Sequence, residues 1–191
     1  MKPLSRRSFE PYLKTESKTY ISAEDSRLLR RASGYFSGNR CLEIGVGYGS
    51  NLLELCNSFN DVTGTDIERT EGFLRASGAN FVISDAGSCF RDGTFDLILL
   101  NPPYLPSDEI EDLAVDGGKF GLDVASKFLA EAARLVSSSG KILLVLSSLN
   151  SKEQLALICK SLGLYSEPLE TESVFFESLT VYELFKTGRL S

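Results

Sequence analysis

Several residue types that often carry chemistry are missing from this sequence. It contains no histidine and no tryptophan, and its four cysteines, at positions 41, 56, 89 and 159, form no Cys-x-x-Cys pair. Without histidine, a Ser-His or Cys-His nucleophile is excluded, and neither a zinc site nor any other metal site is expected. The cysteines fall in apolar segments, so we expect buried, reduced thiols.

Long apolar runs are also absent. No segment approaches the roughly 20 apolar residues that a membrane-spanning helix requires. The N-terminal MKPLSRRSFEPYLK has basic residues but lacks the apolar segment of a secretory signal. A cytoplasmic location is therefore expected.

Positive charge is scarce. Lysine and arginine number 20 against 26 acidic residues, which gives a net charge of −6. Proteins that bind nucleic acid usually carry a basic patch, so direct nucleic-acid binding by this chain alone is not expected. The length of 191 residues, with 42% hydrophobic and 24% charged residues, is typical of one globular domain. We expect a polar extension over residues 1–20 and a single domain over residues 21–191.

Strand-like and helical segments alternate along the chain. Strands are predicted at residues 40–44, 61–66, 79–84, 95–100 and 141–147, and helices at about 23–35, 51–59, 68–77, 122–136 and 152–162. This alternation predicts an α/β fold with a parallel sheet covered by helices on both faces. Two further strands, at 164–169 and 174–185, have no helix between them and are expected to pair in antiparallel fashion.

Polar residues follow the ends of the first three predicted strands. The segment EIGVGYG contains Glu43, Gly45 and Gly47, and Asp66 and Asp85 follow the next two strands. Ligands of such sheets bind beyond the carboxyl ends of the strands, where glycines let the backbone turn sharply. Asp66 suits the paired hydroxyls of a ribose, and the less favoured alternative is that it caps a helix.

The spacing of these residues favours one ligand over another. The glycines follow a GxGxG pattern and not the GxGxxG of dinucleotide sites, and a carboxylate at Glu43 would repel a pyrophosphate. Three carboxylates on one rim suit a ligand with a ribose, an adenine amine and a positive charge. S-adenosylmethionine has all three features and no phosphate.

The segment FDLILLNPPY, residues 95–104, combines a buried strand with a rigid corner. Two prolines must end the strand at Leu100. The corner carries the amide of Asn101 and the ring of Tyr104. Asn-Pro is also an ordinary turn signal, but the neighbouring carboxylates favour a site that grips a flat polar group.

In this order, the motifs resemble those of class I S-adenosylmethionine-dependent methyltransferases. NPPY after the fourth strand is similar to the motif found at that position in enzymes that methylate planar nitrogens. These are the N6-adenine methyltransferases and the HemK-type N5-glutamine methyltransferases of release factors. Residues 20–26 (YISAEDS), 116–123 (DGGKFGLD) and 175–182 (FFESLTVY) resemble the second group, although Ser22 replaces a proline. The resemblance covers about residues 20–186, and the lack of an N-terminal helical domain points to the short archaeal and eukaryotic branch.

The resemblance implies a Rossmann-like, mostly parallel seven-stranded sheet with an antiparallel C-terminal strand. It also implies catalytic roles for Asn101, Pro102 and Tyr104 around the substrate amide. The residues implied to hold S-adenosylmethionine are Ser26, Glu43, Gly45, Gly47, Asp66, Asp85, Ala86 and Asn101.

The implied reaction is methylation of the glutamine amide in the GGQ motif of a class 1 peptide release factor. Two alternatives stay open: an adenine methyltransferase of DNA or RNA, and a non-catalytic cofactor-binding subunit. The resemblance further implies a small zinc-binding activator subunit as partner. The apolar strand around residues 81–83 is expected at the sheet edge, where a partner or the chain's own helices could cover it.

Overall fold

The structure is a computed structural model that describes residues 24–47, 51–68, 78–106, 117–118 and 121–189. In these residues seven strands form one sheet. The strands are β1 (Gly38–Ile44), β2 (Phe59–Asp66), β3 (Asn80–Ile83), β4 (Phe95–Leu100), β5 (Val136–Ser147), β6 (Leu164–Val174) and β7 (Glu177–Lys186). The helices are α1 (Glu24–Ser33), α2 (Leu52–Leu55), α3 (Asp123–Leu135) and α4 (Lys152–Ser161), with a 3-10 turn at Thr187–Arg189.

The sheet has the order β3-β2-β1-β4-β5-β7-β6. Neighbouring strands from β3 to β5 are parallel, and β7 is antiparallel to both β5 and β6. Because β7 alone is reversed, β6 runs in the same direction as β5. The predicted fold class, the antiparallel C-terminal pair and the edge position of β3 are all confirmed.

The central strand β4 is buried on both faces. Ile98 and Leu100 pack in the cluster that contains Leu129 of α3, and Leu97 and Leu99 pack in the cluster that contains Leu29 of α1. All of these side chains are at most 1% exposed. A strand covered on both faces reads as a continuous apolar run, which is why FDLILL predicted these bounds correctly.

Several predicted boundaries are wrong. The sixth strand was expected to end at residue 169 but continues to Val174, and the seventh begins at Glu177 and not at residue 174. The second helix was expected to reach Phe59 but ends at Leu55, because Phe59 pairs with Gly38 and opens β2. The fifth strand was expected from Lys141 but begins at Val136. Gly140 permits this longer strand, since a Cβ there would lie only 2.8 Å from the Phe95 carbonyl oxygen.

The cysteines differ in environment. Cys41 and Cys159 are buried and Cys56 is half-buried, but Cys89 is exposed because it lies in the loop after β3 and not in a core segment. The prediction of four buried thiols is therefore wrong for Cys89. All four are free.

Other expectations fall on undescribed parts of the chain. Residues 69–77 of the predicted helix at 68–77, the boundary at residue 20 and Ser22 lie outside the described residues. Within the described ranges, no helix is both long enough and apolar enough to cross a membrane.

Candidate active site

The carboxyl ends of three adjacent parallel strands meet at one edge of the sheet. Ile44 of β1 is opposite Thr65 of β2 on one side and Leu100 of β4 on the other. Gly45 and Asn101 therefore leave the sheet on neighbouring strands about 4.8 Å apart, and Asp66 is the last residue of β2 on the other side of β1. The register thus brings the predicted glycine loop, acid and corner together.

The glycine loop folds back onto the end of β2. The amides of Gly45 and Val46 both donate to the Thr65 carbonyl at 2.9 Å. Gly45 has φ 72° and Gly47 has φ 49°, values that favour glycine. A Cβ on Gly45 would lie 2.9 Å from the ring of Phe128, so the backbone and this α3 side chain are in close contact.

The Asp66 carboxylate fastens this loop. One oxygen accepts from the Gly47 amide at 2.9 Å, and the other accepts from the Glu68 amide at 3.3 Å. The second bond joins residues two positions apart, and the helix that Asp66 was alternatively predicted to cap lies outside the described residues from residue 69 on. The side chain is still half-exposed, and each carboxylate oxygen has further acceptor capacity for a hydroxyl group.

Glu43 is buried beneath the loop and does not lie on an exposed rim with the other two acids. It belongs to β1 itself, between Gly64 and Leu99 of the neighbouring strands, and is 2% exposed. Oε1 accepts from Asn51 Nδ2 at 2.6 Å, whereas Oε2 has no hydrogen-bond partner among the described residues.

The environment of Glu43 makes it an unusually weak acid. Burial raises its pKa to about 8, against the lowering effects of the Asn51 hydrogen bond and of the Arg30 charge. The negative charge of Asp66 raises it further. A carboxyl with this pKa is mostly protonated at pH 7.

The loop after β3 carries Asp85 and Ala86. The Asp85 side chain is exposed, and Ala86 adopts φ 47°, a left-handed conformation that is uncommon for residues other than glycine. Arg134 of α3 holds this loop by donating to the carbonyls of Phe90 at 2.8 Å and Gly87 at 3.1 Å. No pattern in the sequence indicated this role for Arg134, since an arginine on a predicted helix is ordinarily solvated.

Asn101 lies against the start of α1. Its Nδ2 donates to the buried Ser26 hydroxyl at 3.3 Å, which brings together two residues that are 75 positions apart. The Asn101 Oδ1 atom is buried and has no hydrogen-bond partner among the described residues. An amide oriented in this way offers its oxygen to a donor from a ligand.

The rest of the corner is fixed from two sides. The Tyr104 hydroxyl donates to Asp25 Oδ2 at 3.2 Å, and the Tyr104 carbonyl accepts from Asn150 Nδ2 at 2.7 Å. Asn150 also accepts from the Ser147 amide at 2.9 Å, so it ties the corner to the end of β5. A Cβ on Gly121 would collide with the same Tyr104 carbonyl. Pro102 is buried within this corner.

Asp25 and Asn150 were not predicted as site residues. Asp25 lies in the helix predicted at about 23–35, and Asn150 lies in a turn that has no distinctive pattern. Both act on Tyr104 across 79 and 46 positions of sequence, respectively. Local sequence signals do not report such contacts.

The fold is that of a class I methyltransferase. The chain matches the Methyltransferase small domain family over residues 26–173. Two solved structures have the same fold. The E. cuniculi Mtq2-Trm112 complex superposes with a TM-score of 0.71 at 22% identity, over 87% of this chain and 98% of that chain. The T. thermophilus 16S rRNA N2 G1207 methyltransferase has a TM-score of 0.63 at 23% identity, over 91% of this chain and 41% of that chain.

Sequence similarity narrows the family. A Methanocaldococcus jannaschii chain named as a protein N5-glutamine methyltransferase is 30% identical over 188 residues, which is 91% of this chain and 95% of that relative. The release factor glutamine methyltransferase of Deinococcus radiodurans is 31% identical over 76% of this chain and 56% of its own length. This chain thus spans about half of that bacterial relative. The protein belongs to the HemK-type N5-glutamine methyltransferase family, as its motifs predicted.

S-adenosylmethionine is the methyl donor of this family, and the described residues fit it. Glu43 Oε2 is a buried acceptor with no partner among the described residues. The cofactor carries complementary donors, namely an ammonium group, ribose hydroxyls and an adenine amine. The half-exposed Asp66 and the exposed Asp85 add two carboxylates at the same edge of the sheet.

Proposed function

We propose that this chain methylates the side-chain amide nitrogen of a glutamine in the GGQ motif of a class 1 peptide release factor. The observation that carries the proposal is the Asn101 corner, whose buried Oδ1 is an acceptor without a partner among the described residues. The names of the relatives support the choice of a glutamine in a release factor. The net charge of −6 supports a protein substrate over a nucleic acid.

The protein contributes to this reaction mainly by positioning the substrate amide. The nitrogen of an amide is a weak nucleophile because its lone pair is delocalised, and the chain has no histidine to act as a base. When bound, the cofactor supplies an electrophilic methyl group on a sulfonium. Asn101 Oδ1 and the Pro102 carbonyl accept the two N–H bonds of the substrate amide and so orient its nitrogen for in-line transfer.

The same two acceptors stabilise the transition state. Positive charge builds up on the amide nitrogen as the new N–C bond forms and the bond from sulfur to the methyl carbon breaks, and one N–H proton passes to water to give the neutral methylated amide. An oxygen already hydrogen-bonded to that N–H stabilises the developing charge. Tyr104 packs beside the amide, with its hydroxyl held by Asp25.

The remaining site residues are assigned to the cofactor. Ser26, Glu43, Gly45 and Gly47 border its methionine end, and Asp66 holds the ribose hydroxyls. Asp85 accepts from the adenine amine, and Ala86 offers its backbone amide to the same ring. The left-handed conformation of Ala86 supports this assignment, since strained residues cluster at ligand sites.

The test is incubation with labelled cofactor and an archaeal-type release factor, followed by mass spectrometry of the GGQ peptide. Asn101→Ala should reduce turnover by about 10²–10³-fold with cofactor binding retained, by analogy with a lost oxyanion donor. Asn57→Ala, an exposed asparagine that precedes the amino end of β2 at the opposite edge of the sheet, is the matched control. Near wild-type turnover of Asn101→Ala would refute the mechanism.

The same experiment separates the alternative substrates. Label that enters only DNA or RNA would identify an adenine methyltransferase, and label that enters nothing would favour a non-catalytic subunit. Asn101 argues against a non-catalytic subunit, because a protein that only binds the cofactor needs no buried hydrogen-bond acceptor at this edge of the sheet.

We also infer a small, zinc-binding partner subunit that covers the β3 edge. In the described residues β3 pairs with β2 alone. Ile83 is 59% exposed, and Ile67, which follows β2, is 61% exposed. The similar E. cuniculi protein was solved as a two-protein complex. Gel filtration and activity of the isolated chain test this inference; a stable, fully active monomer would remove the need for a partner.

A further inference from the structure

The turn between β6 and β7 places two phenylalanines in water. Val174 pairs with Glu177, so Phe175 and Phe176 form a two-residue hairpin loop, here called the aromatic tip. The two residues are 97% and 100% exposed. Rings with this exposure contribute no burial to the stability of the chain.

The residues of the aromatic tip are also unusual for the type of turn that they form. Phe175 has φ 33° and Phe176 does not have a positive φ, which is the φ pattern of a type II′ turn. Glycine is the preferred residue at the first position of that turn, and a bulky residue there is strained. Because the two phenylalanines aid neither folding nor packing, their presence points to a function outside the fold.

The aromatic tip lies at the same edge of the sheet as the Asn101 corner. β6 runs parallel to β5, so its carboxyl end, where the tip begins, is on the ligand side. The hairpin is fastened to the turn after β5: the Ser148 amide donates to the Ser178 carbonyl at 2.8 Å, and the Ser147 hydroxyl donates to the Glu177 carboxylate. The same turn contains Asn150, which holds the Tyr104 carbonyl.

The separation of the tip from the corner limits what can touch both. Leu100 of β4 is opposite Leu144 of β5, so Asn101 is level with Val145. Val145 is opposite Val181 of β7, and Phe176 precedes Val181 by five residues. Two strand spacings and five residues of rise give about 20 Å between Asn101 and the tip. A glutamine side chain cannot span this distance. A folded protein can, since a typical interface buries about 800 Å² per partner in a patch roughly 30 Å across.

We propose that the aromatic tip is a docking contact for the folded body of the protein substrate, at a distance from the groups that hold its glutamine. The proposal rests on the proposed function. Two phenylalanines, at about 150–250 Å² each, would supply a large part of such an interface. Beside the tip, Glu172 is paired with Arg31 and Glu177 accepts from Ser147, so both charges already have partners and the complementary patch on the substrate is apolar.

The test uses the double variant Phe175→Asn/Phe176→Ser. Asparagine tolerates the left-handed conformation and neither ring is buried, so the melting temperature should be unchanged or higher. Methylation is measured with two substrates, the intact release factor and a short peptide containing its GGQ loop. For the intact protein we expect KM to rise at least tenfold with kcat unchanged. For the peptide, which cannot reach the tip, we expect both constants to be unchanged.

Leu157→Ser is the control, since this leucine is 60% exposed on α4 and should leave both substrates unaffected. An unchanged KM of the double variant for the intact protein would overturn the docking proposal. An equal loss with protein and peptide would also overturn it, as would self-association of the wild type that the double variant abolishes. If the wild type methylates no release factor, the proposed function itself fails and the docking proposal fails with it.

Discussion

Glu43 should link the affinity for the cofactor to pH, because it is a buried acid beside the proposed site of a cationic ligand. Its pKa of about 8 means that it is neutral in most molecules at pH 7. A bound ammonium or sulfonium group favours the ionised carboxylate, so binding should draw a proton off Glu43. Cofactor affinity is then expected to increase as the pH rises towards 8 and to level off above it.

The size of the effect follows from the pKa. At pH 7 a group with a pKa of about 8 is roughly one-tenth ionised, so affinity for S-adenosylmethionine should be about tenfold weaker than its limit at high pH. Binding at pH 7 should release about 0.9 proton. Stability of the cofactor-free chain should change in the opposite direction. Between the ordinary pKa of 4.5 and the raised value of about 8, the folded state holds more protons, so stability falls as pH rises.

Calorimetric titration at several pH values, in buffers of different ionisation enthalpy, measures both affinity and proton release. Glu43→Gln is the control, because it keeps the Asn51 contact possible but cannot ionise. Ionisation of the cofactor's own amino group affects both proteins equally, so the ratio of their affinities isolates Glu43. A ratio that is independent of pH from 6 to 9, with equal proton release, would refute the assignment of Glu43 to the cofactor.

Three further predictions concern the supports of the site and its core. Asn150→Ala removes the 2.7 Å donor to the Tyr104 carbonyl. It should lower kcat about tenfold and the free energy of unfolding by about 1–3 kcal/mol while cofactor affinity is kept; an unchanged kcat would show that the tether does not position the corner. Arg134→Gln removes the hydrogen bonds to two carbonyls of the loop after β3. It should weaken cofactor binding by about tenfold at most, with kcat at saturation retained. Unchanged binding would show that this loop does not contribute to the adenine site. Leu129→Ala, at a fully buried position, should cost about 2–5 kcal/mol in chemical denaturation without altering cofactor affinity, and a loss under 1 kcal/mol would contradict the packing described for α3.

Local sequence rules were sufficient to predict a structural feature wherever the residues that determine it lie in one segment of the chain. The bounds of β4, Phe95–Leu100, follow from an apolar run that two prolines end. The alternation of strands and helices predicted the parallel sheet, and the missing helix after residue 169 predicted the antiparallel pair. Gly45, Asp66 and Asn101 were placed at one edge because parallel strands share their carboxyl ends.

Where two structures compete for one residue, local rules were insufficient. Phe59 fits both the end of a helix and the start of a strand, and its pairing with Gly38 decided for the strand. Residues 174–185 read as one continuous strand segment, yet Phe175 and Phe176 make the turn. Phenylalanine favours strands, so Phe175 and Phe176 give no local signal that the chain reverses direction there. The reversal is needed because β7 pairs with β5.

The sequence by itself determined the class of fold, the order of the strands' polar ends and the kind of ligand that those ends suit, since periodicity and strand-end chemistry are local properties. The tertiary structure alone decided how each group behaves. Burial between β2 and β4 turned Glu43 from an expected rim carboxylate into an acid with a pKa of about 8. Contacts across 46 to 79 positions assigned Asn150 and Asp25 to the Tyr104 corner. Desolvation and hydrogen bonding depend on which distant segments pack together, and that information exists only once the chain has folded.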